Sequence, residues 1–224
     1  MWAYLAHLLE FLRQNWIYLV GFGGQLLFGV RITVQWLYSE RAGRPVSPAL
    51  YWQVSLAASF IVLVYGTLRR DPIIILGQIL SYYIYVRNLQ LKQRWTSIYK
   101  PARYALLILP LVFVLSAIYS VGNLVDDLYD NIHPTAPLFI VGAVGQLMLN
   151  LRFLYQWYYS EQRKVSILPL GFWAISLSAS VLVLIYGLYR RDPVLIVSQG
   201  LGMVAYVRNI YFYWRMGLPV QQEK

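Results

Sequence analysis

The chain carries one sequence twice, at a fixed spacing of 121 residues. Arg31-x-x-x-Gln35-Trp36-x-Tyr38-Ser39-Glu40 returns as Arg152-x-x-x-Gln156-Trp157-x-Tyr159-Ser160-Glu161. Arg69-Arg70-Asp71-Pro72 returns as Arg190-Arg191-Asp192-Pro193, and Tyr85-Val86-Arg87-Asn88 as Tyr206-Val207-Arg208-Asn209. From Gln25 to Asn88, 29 of 64 positions are identical at that offset, so the chain is a tandem duplication and its fold is built from two like units. The duplicated residues include arginines set inside apolar stretches. A guanidinium group in a membrane helix is costly, and its presence in both copies needs a reason.

Of the 224 residues, 59% are hydrophobic and 12% charged, with a mean hydropathy of +0.51. Soluble domains carry about a quarter charged residues, so the composition is that of an integral membrane protein. The absence of cysteine excludes disulfides and thiolate metal sites, and two histidines, His7 and His133, do not make a histidine-rich metal site. The net charge of +10 does not point to nucleic acid. The positive residues lie between apolar segments, as positive-inside loops do, and form no single basic face or arm. The first apolar run has no basic leader and no A-x-A site after it, so it does not read as a signal peptide.

A membrane span needs about 20 mostly apolar residues. Seven candidates occur, at 16–38, 50–68, 73–91, 104–122, 137–159, 170–189 and 194–214. The expected fold is all-α, with seven transmembrane helices as two parallel triple-helix bundles plus one linker helix. Residues 1–15 form an interfacial helix, with Trp2, Leu5, Leu8, Leu9 and Leu12 apolar and Glu10 and Arg13 polar. Residues 16–98 form the first repeat, 99–135 a linker span with an acidic outer loop (Asp126, Asp127, Asp130), 136–216 the second repeat, and 217–224 a tail. Three spans alone would invert the second repeat. The extra span restores its direction, which makes the repeats parallel about an axis along the membrane normal.

Arg41, Arg44, Lys92, Arg94, Lys100, Arg103, Arg163, Lys164, Arg215 and Lys224 fall on one side by alternation. Arg13, Arg69, Arg70, Arg190 and Arg191 fall on the other, with the acidic loop. The bias places the first side in the cytoplasm, the N-terminus outside and the C-terminus inside. Trp36, Tyr38, Trp157, Tyr158, Tyr159, Tyr211, Tyr213 and Trp214 cluster near span ends, as an interfacial belt does.

Asp71-Pro72 and Asp192-Pro193 read as a helix cap followed by a first-turn proline. Arg69, Arg70, Arg190 and Arg191 read as headgroup anchors. On the first span of each repeat, Arg31 and Gln35 share a face, as do Arg152 and Gln156, while Gln25 points elsewhere. Snorkelling from Arg31 to the cytoplasmic end must cover about eight residues, roughly 12 Å, which is far for one side chain. A pair with Glu40 or Glu161 is the other option, each nine residues along its own helix. The reading carried forward is a polar cavity lined by Arg31 and Arg152. On the third spans, Gln78, Tyr85 and Asn88 form one stripe, as do Gln199, Tyr206 and Asn209. Arg87 and Arg208 lie nearly opposite Gln78 and Gln199, close enough to the cytoplasmic end to snorkel. Trp52, Ser55 and Ser59, with Trp173, Ser176 and Ser180, form a small-residue stripe suited to close helix packing.

Two sets of Arg, Gln, Asn and Tyr about a pseudo-two-fold axis describe one anion-binding cavity, because guanidinium offers a fork suited to phosphate or carboxylate. The twelve candidate binding residues are Arg31, Arg152, Gln35, Gln156, Gln78, Gln199, Tyr85, Tyr206, Asn88, Asn209, Arg87 and Arg208. No nucleophile–base pair, histidine–aspartate acyltransferase pair, P-loop or metal motif stands out. The expectation is a protein that is not an enzyme and uses no cofactor.

Gly24-Gln25 … Arg31-x-x-x-Gln35-Trp36-x-x-Ser39-Glu40, Pro48-x-x-x-Trp52-x-x-Ser55, Tyr65-Gly66 … Arg70-Asp71-Pro72 … Gly77-Gln78 … Tyr85-x-Arg87-Asn88 resembles the lipid A biosynthesis N-terminal domain family. The pattern returns from Gly145-Gln146 to Asn209, departing at Ser198, where the first copy has Gly77. That family includes small stand-alone membrane proteins and membrane segments fused to some lipid-A-disaccharide synthases. The three-span unit also looks like the PQ-loop and SWEET transporter superfamily, and the duplicated form is similar to the seven-helix SWEET arrangement.

The resemblance implies a bacterial inner-membrane protein of envelope glycolipid metabolism. Its leading function is a transporter or flippase for an anionic lipid-linked substrate, a polyprenyl-phosphate sugar or lipid A precursor. The alternatives are a membrane scaffold that recruits glycosyltransferases through the basic loops, and a SWEET-like carrier of soluble sugars. Expected partners are the anionic lipid or lipid-linked sugar phosphate, membrane lipids and glycosyltransferases, with no nucleic acid.

Overall fold

The computed structural model describes residues 16–69, 72–120, 137–191 and 193–216. The expected interfacial helix, Arg70, Asp71, Asp192, the acidic loop and the tail lie outside these. The described residues form seven α-helices: α1 Trp16–Ala42, α2 Ala49–Leu68, α3 Pro72–Leu91, α4 Lys100–Ser120, α5 Pro137–Arg163, α6 Leu170–Arg190 and α7 Pro193–Met216. A short 3₁₀ turn, Trp95–Ser97, precedes α4. Each helix coincides with one expected span to within a few residues, except that α1 and α5 run on to include Glu40 and Glu161. By length and composition, α1, α2 and α6 to Tyr189 are apolar enough to cross a membrane. The long helices α5 and α7 carry Gln146, Asn150, Arg152 and Gln156, or Gln199, Arg208 and Asn209, which lowers their apolar character.

Several prolines stand where a missing N–H does no harm; Pro110, inside α4, is an exception. Pro72, Pro137 and Pro193 open their helices, and Pro48 and Pro169 stand just before α2 and α6 in extended conformation. After α1, Gly43 turns the chain with φ +64°; the matching residue after α5 is Lys164, at φ +55°. Glycine adopts that conformation without steric cost, whereas a residue with a Cβ does not.

Within each repeat the middle helix packs on both neighbours: α2 on α1 and α3, α6 on α5 and α7. Glycine brings the first pair close. A Cβ on Gly24 would meet Val62 Cγ2 at 2.6 Å, and one on Gly145 would meet Leu182 Cβ at 2.9 Å and the Ala179 carbonyl at 3.0 Å. Hydrogen bonds from Ser59 to Gln78 (3.1 Å) and from Ser180 to Gln199 (2.9 Å) tie the second helix to the third. The serine stripe of the second helix thus faces polar partners as well as close backbone. Helix α4 packs on α2 and α3, with the Tyr82 and Tyr83 hydroxyls bonded to the Leu106 and Leu107 carbonyls, both at 2.9 Å. The repeats meet through α1 on α7 and α3 on α5. Outward faces expose Phe22, Leu26, Leu115, Leu147 and Leu201, the kind of surface that water penalises and lipid does not.

Candidate functional site

Where the repeats meet, equivalent residues sit in layers. The deepest layer holds Arg31 and Arg152, which are only 6% and 8% exposed. Arg31 Nη1 donates to the Tyr85 hydroxyl at 2.8 Å and to Ser55 Oγ at 3.4 Å. Arg152 Nη1 donates to the Tyr206 hydroxyl at 3.0 Å. These partners are hydroxyl groups. Among the described residues neither arginine has a carboxylate partner, and the buried Nε–H of each has no acceptor. The Phe153 ring centroid lies 5.3 Å from the Arg31 guanidinium carbon and 5.1 Å from that of Arg152, so both charges gather around one ring. The two guanidinium carbons are therefore at most about 10 Å apart, a separation at which two positive charges in an effective dielectric near 20 repel by roughly 1.5 kcal/mol or more. Phe28 and Tyr51 also flank Arg31, and Phe172 and Tyr206 flank Arg152.

Arg31, Ile32, Tyr51, Arg152, Phe172, Trp173 and Tyr206 line one small cavity between the repeats. It has room for about one water molecule. Its walls are unequal. Ile32 and Tyr51 of the first repeat correspond to Phe153 and Phe172 of the second, and Phe28 corresponds to Leu149.

One turn further along, the amides interlock across the repeats. Gln35 Nε2 donates to Asn209 Oδ1 at 2.8 Å and Asn209 Nδ2 returns a bond to Gln35 Oε1 at 3.1 Å. Gln156 and Asn88 repeat this, at 2.9 and 3.1 Å. All four are at most 1% exposed. Gln35 and Gln156 also donate to Ser39 and Ser160, at 2.9 and 2.8 Å, and to the Val46 and Ile167 carbonyls, at 3.2 and 2.8 Å. Ser39 and Ser160 in turn accept from the Val46 and Ile167 N–H, both at 3.1 Å, which fixes the turn after α1 and α5. The second copy adds Ser166, which donates to Asn88 Oδ1 at 2.6 Å; its counterpart is Pro45.

The outermost layer is ionic and part-exposed. Arg87 grips Glu161 with two bonds, at 2.7 and 2.8 Å, and Arg208 grips Glu40 through Nε and through Nη2 at 2.8 Å. Forked pairs of this kind fix geometry as well as charge.

The twelve expected site residues therefore divide. Arg31, Arg152 and Tyr206 line the cavity, and Tyr85 holds Arg31. Gln35, Gln156, Asn88 and Asn209 hold each other, and Arg87 and Arg208 hold carboxylates of the opposite repeat. Gln78 and Gln199 lie seven residues before Tyr85 and Tyr206, roughly 10 Å along the helix, bonded to serines. Sequence reasoning missed Glu40 and Glu161 as cross-repeat partners. It tested them only against arginines of their own helix, although a duplicated acid and a duplicated base near the same span ends were visible. It also missed the aromatic wall of Tyr51, Phe153 and Phe172.

The sequence pattern of the Lipid A Biosynthesis N-terminal domain matches residues 20–90 and again 141–211, the two stretches that supply every layer of this site. The chain belongs to that family. Along 205 residues it is 29% identical to a lipid-A-disaccharide synthase of Chlamydia pneumoniae, covering 89% of this chain and 34% of that protein. A synthase of the same name from Chlamydia caviae is 28% identical over 226 residues, 96% of this chain and 35% of that protein. One from Chlamydia trachomatis serovar D is 26% identical over 207 residues, 87% and 34%. The chain thus spans about a third of the length of the curated relatives it matches. No solved structure matches it.

These relatives correct one expectation. A protein outside enzyme chemistry was expected from the lack of a catalytic motif, yet the relatives carry the name of an enzyme. A segment that matches about a third of an enzyme's length need not carry that enzyme's catalytic groups. The relatives and the family together point to a lipid A biosynthesis context.

Proposed function

We propose that the chain is the membrane unit that handles an anionic lipid-linked intermediate of lipid A biosynthesis, a polyprenyl-phosphate sugar or lipid A precursor, as a transporter or flippase. In this reading, residues 16–98 and 136–216 are two parallel three-span bundles joined by a linker span within 99–135, in a SWEET-like arrangement. The bundles rock about the chamber to open it to either side. The protein lies in the bacterial inner membrane with its N-terminus in the periplasm and its C-terminus in the cytoplasm. It serves disaccharide synthesis by presenting or moving the lipid substrate.

The observation that supports this best is the pair of buried, uncompensated guanidinium groups around one cavity. A buried charge without a partner carries a desolvation penalty of several kcal/mol, which an anionic ligand offsets. The amide and ion-pair layers beyond it suit a closed end. Arg31 and Arg152 hold the phosphate, and the amide layer completes the polar lining once the repeats part. Two net positive charges do not suit a neutral soluble sugar. In proteoliposomes loaded with a fluorescent phosphorylated polyprenyl lipid, Arg31→Ala with Arg152→Ala should abolish flipping. Wild-type rates in that double variant would refute the proposal.

The scaffold reading keeps some support, because the chain matches only a third of proteins named as a synthase. It requires a glycosyltransferase that stops co-purifying once Lys92, Arg94, Lys100 and Arg103 are neutralised, with Arg31 and Arg152 dispensable.

A further inference from the structure

We infer that the chamber selects a phosphate carrying two negative charges, a terminal phosphomonoester or diphosphate, over a monoanionic phosphodiester or carboxylate. The inference rests on the reading of the chamber as an anion site and goes on to the ligand's valence: of the two lipids proposed above it keeps a lipid A precursor bearing a terminal phosphate or a diphosphate and drops the polyprenyl-phosphate sugar, a phosphodiester with one negative charge. Two guanidinium groups face one cavity, each more than nine-tenths buried, and among the described residues the Nε–H of each has no partner. The titratable groups around them are phenols: Tyr51 from α2, Tyr85 from α3 and Tyr206 from α7. The carboxylates of Glu40 and Glu161 are engaged by Arg208 and Arg87 at the rim, nine residues further along α1 and α5. One negative charge would leave one arginine uncompensated in a site of low dielectric. Two negative charges neutralise both, and a monoester's three terminal oxygens can accept from the two Nε–H groups together. The aromatic walls suit the apolar or sugar part of the ligand, and the present volume, about one water, means that binding accompanies a widening of the chamber.

The test uses the full chain in detergent, titrated with dodecyl phosphate, with methyl dodecyl phosphate, a diester of nearly the same size, and with inorganic phosphate. A phosphomonoester takes its second proton near pH 6. The expected result is that dodecyl phosphate binds at pH 7.5 about tenfold more tightly than at pH 5, the fold-change that follows from that second ionisation. The diester should bind more weakly than the monoester at pH 7.5, with no such pH dependence. Arg31→Gln and Arg152→Gln, each alone, should narrow the gap between the two esters. Inorganic phosphate binding as tightly as dodecyl phosphate supports the charge rule and makes free phosphate, not a lipid headgroup, the source. Equal affinity for the two esters at every pH overturns the charge rule while leaving anion binding in place. Absence of binding by all three overturns the anion site itself.

Discussion

Arg31 and Arg152 are buried at a cost that their own contacts do not repay. Arg152 gains one hydrogen bond to Tyr206 and the faces of several rings, and ring contacts to a cation contribute about 0.5–2 kcal/mol. Its desolvation costs more, since the penalty is several kcal/mol per ion. Arg152→Met should therefore raise stability by about 1 kcal/mol, or roughly 2–4 °C in a chain of this size, while removing anion binding. Thermal unfolding in detergent measures the first and ligand titration the second. A melting temperature lowered by that much would show the guanidinium to be a net structural asset. These two residues were legible in the sequence because an arginine in an apolar run contradicts its surroundings. The hydroxyl groups that hold them were partly legible, since Tyr85 and Tyr206 stood in the duplicated stripe. The ring that serves both was not, because Phe153 has isoleucine as its counterpart and no pattern in either copy marks it.

Helices were the most legible feature, as apolar runs of about 20 residues flanked by proline leave few alternatives. How closely they approach depends on single positions. A methyl group at Gly145 has a backbone carbonyl at 3.0 Å and Leu182 Cβ at 2.9 Å, with little freedom to yield. One at Gly29 meets nothing within 4 Å. Gly145→Ala should then cost about 1–3 kcal/mol through overpacking. Gly29→Ala should gain about 0.5–1 kcal/mol from helix propensity. Unfolding both variants side by side in detergent tests the pair, and equal effects would contradict the α5–α6 contact. Both glycines read alike in sequence, because propensity describes one helix and clearance describes two.

Between the repeats, specificity lies in exchange: each repeat supplies a Glu and a Gln that the other receives with an Arg and an Asn. Glu40→Arg should loosen one of the two rim pairs and impair flipping, and Glu40→Arg with Arg208→Glu should restore most of it. Rates measured in proteoliposomes decide this, and a double variant no better than either single one would show that the pair does not act as a unit. None of this pairing could be read from spacing along one helix, since it joins residues 168 and 174 apart, or 74 and 68. The duplication did announce it in one respect, by presenting acid, amide and base in matched sets. Because the two halves are one chain and not two identical subunits, the cavity walls have been free to diverge. A guest with dissimilar ends would meet Ile32 and Tyr51 on one flank and Phe172 and Trp173 on the other. Two orientations of such a guest would then differ in energy.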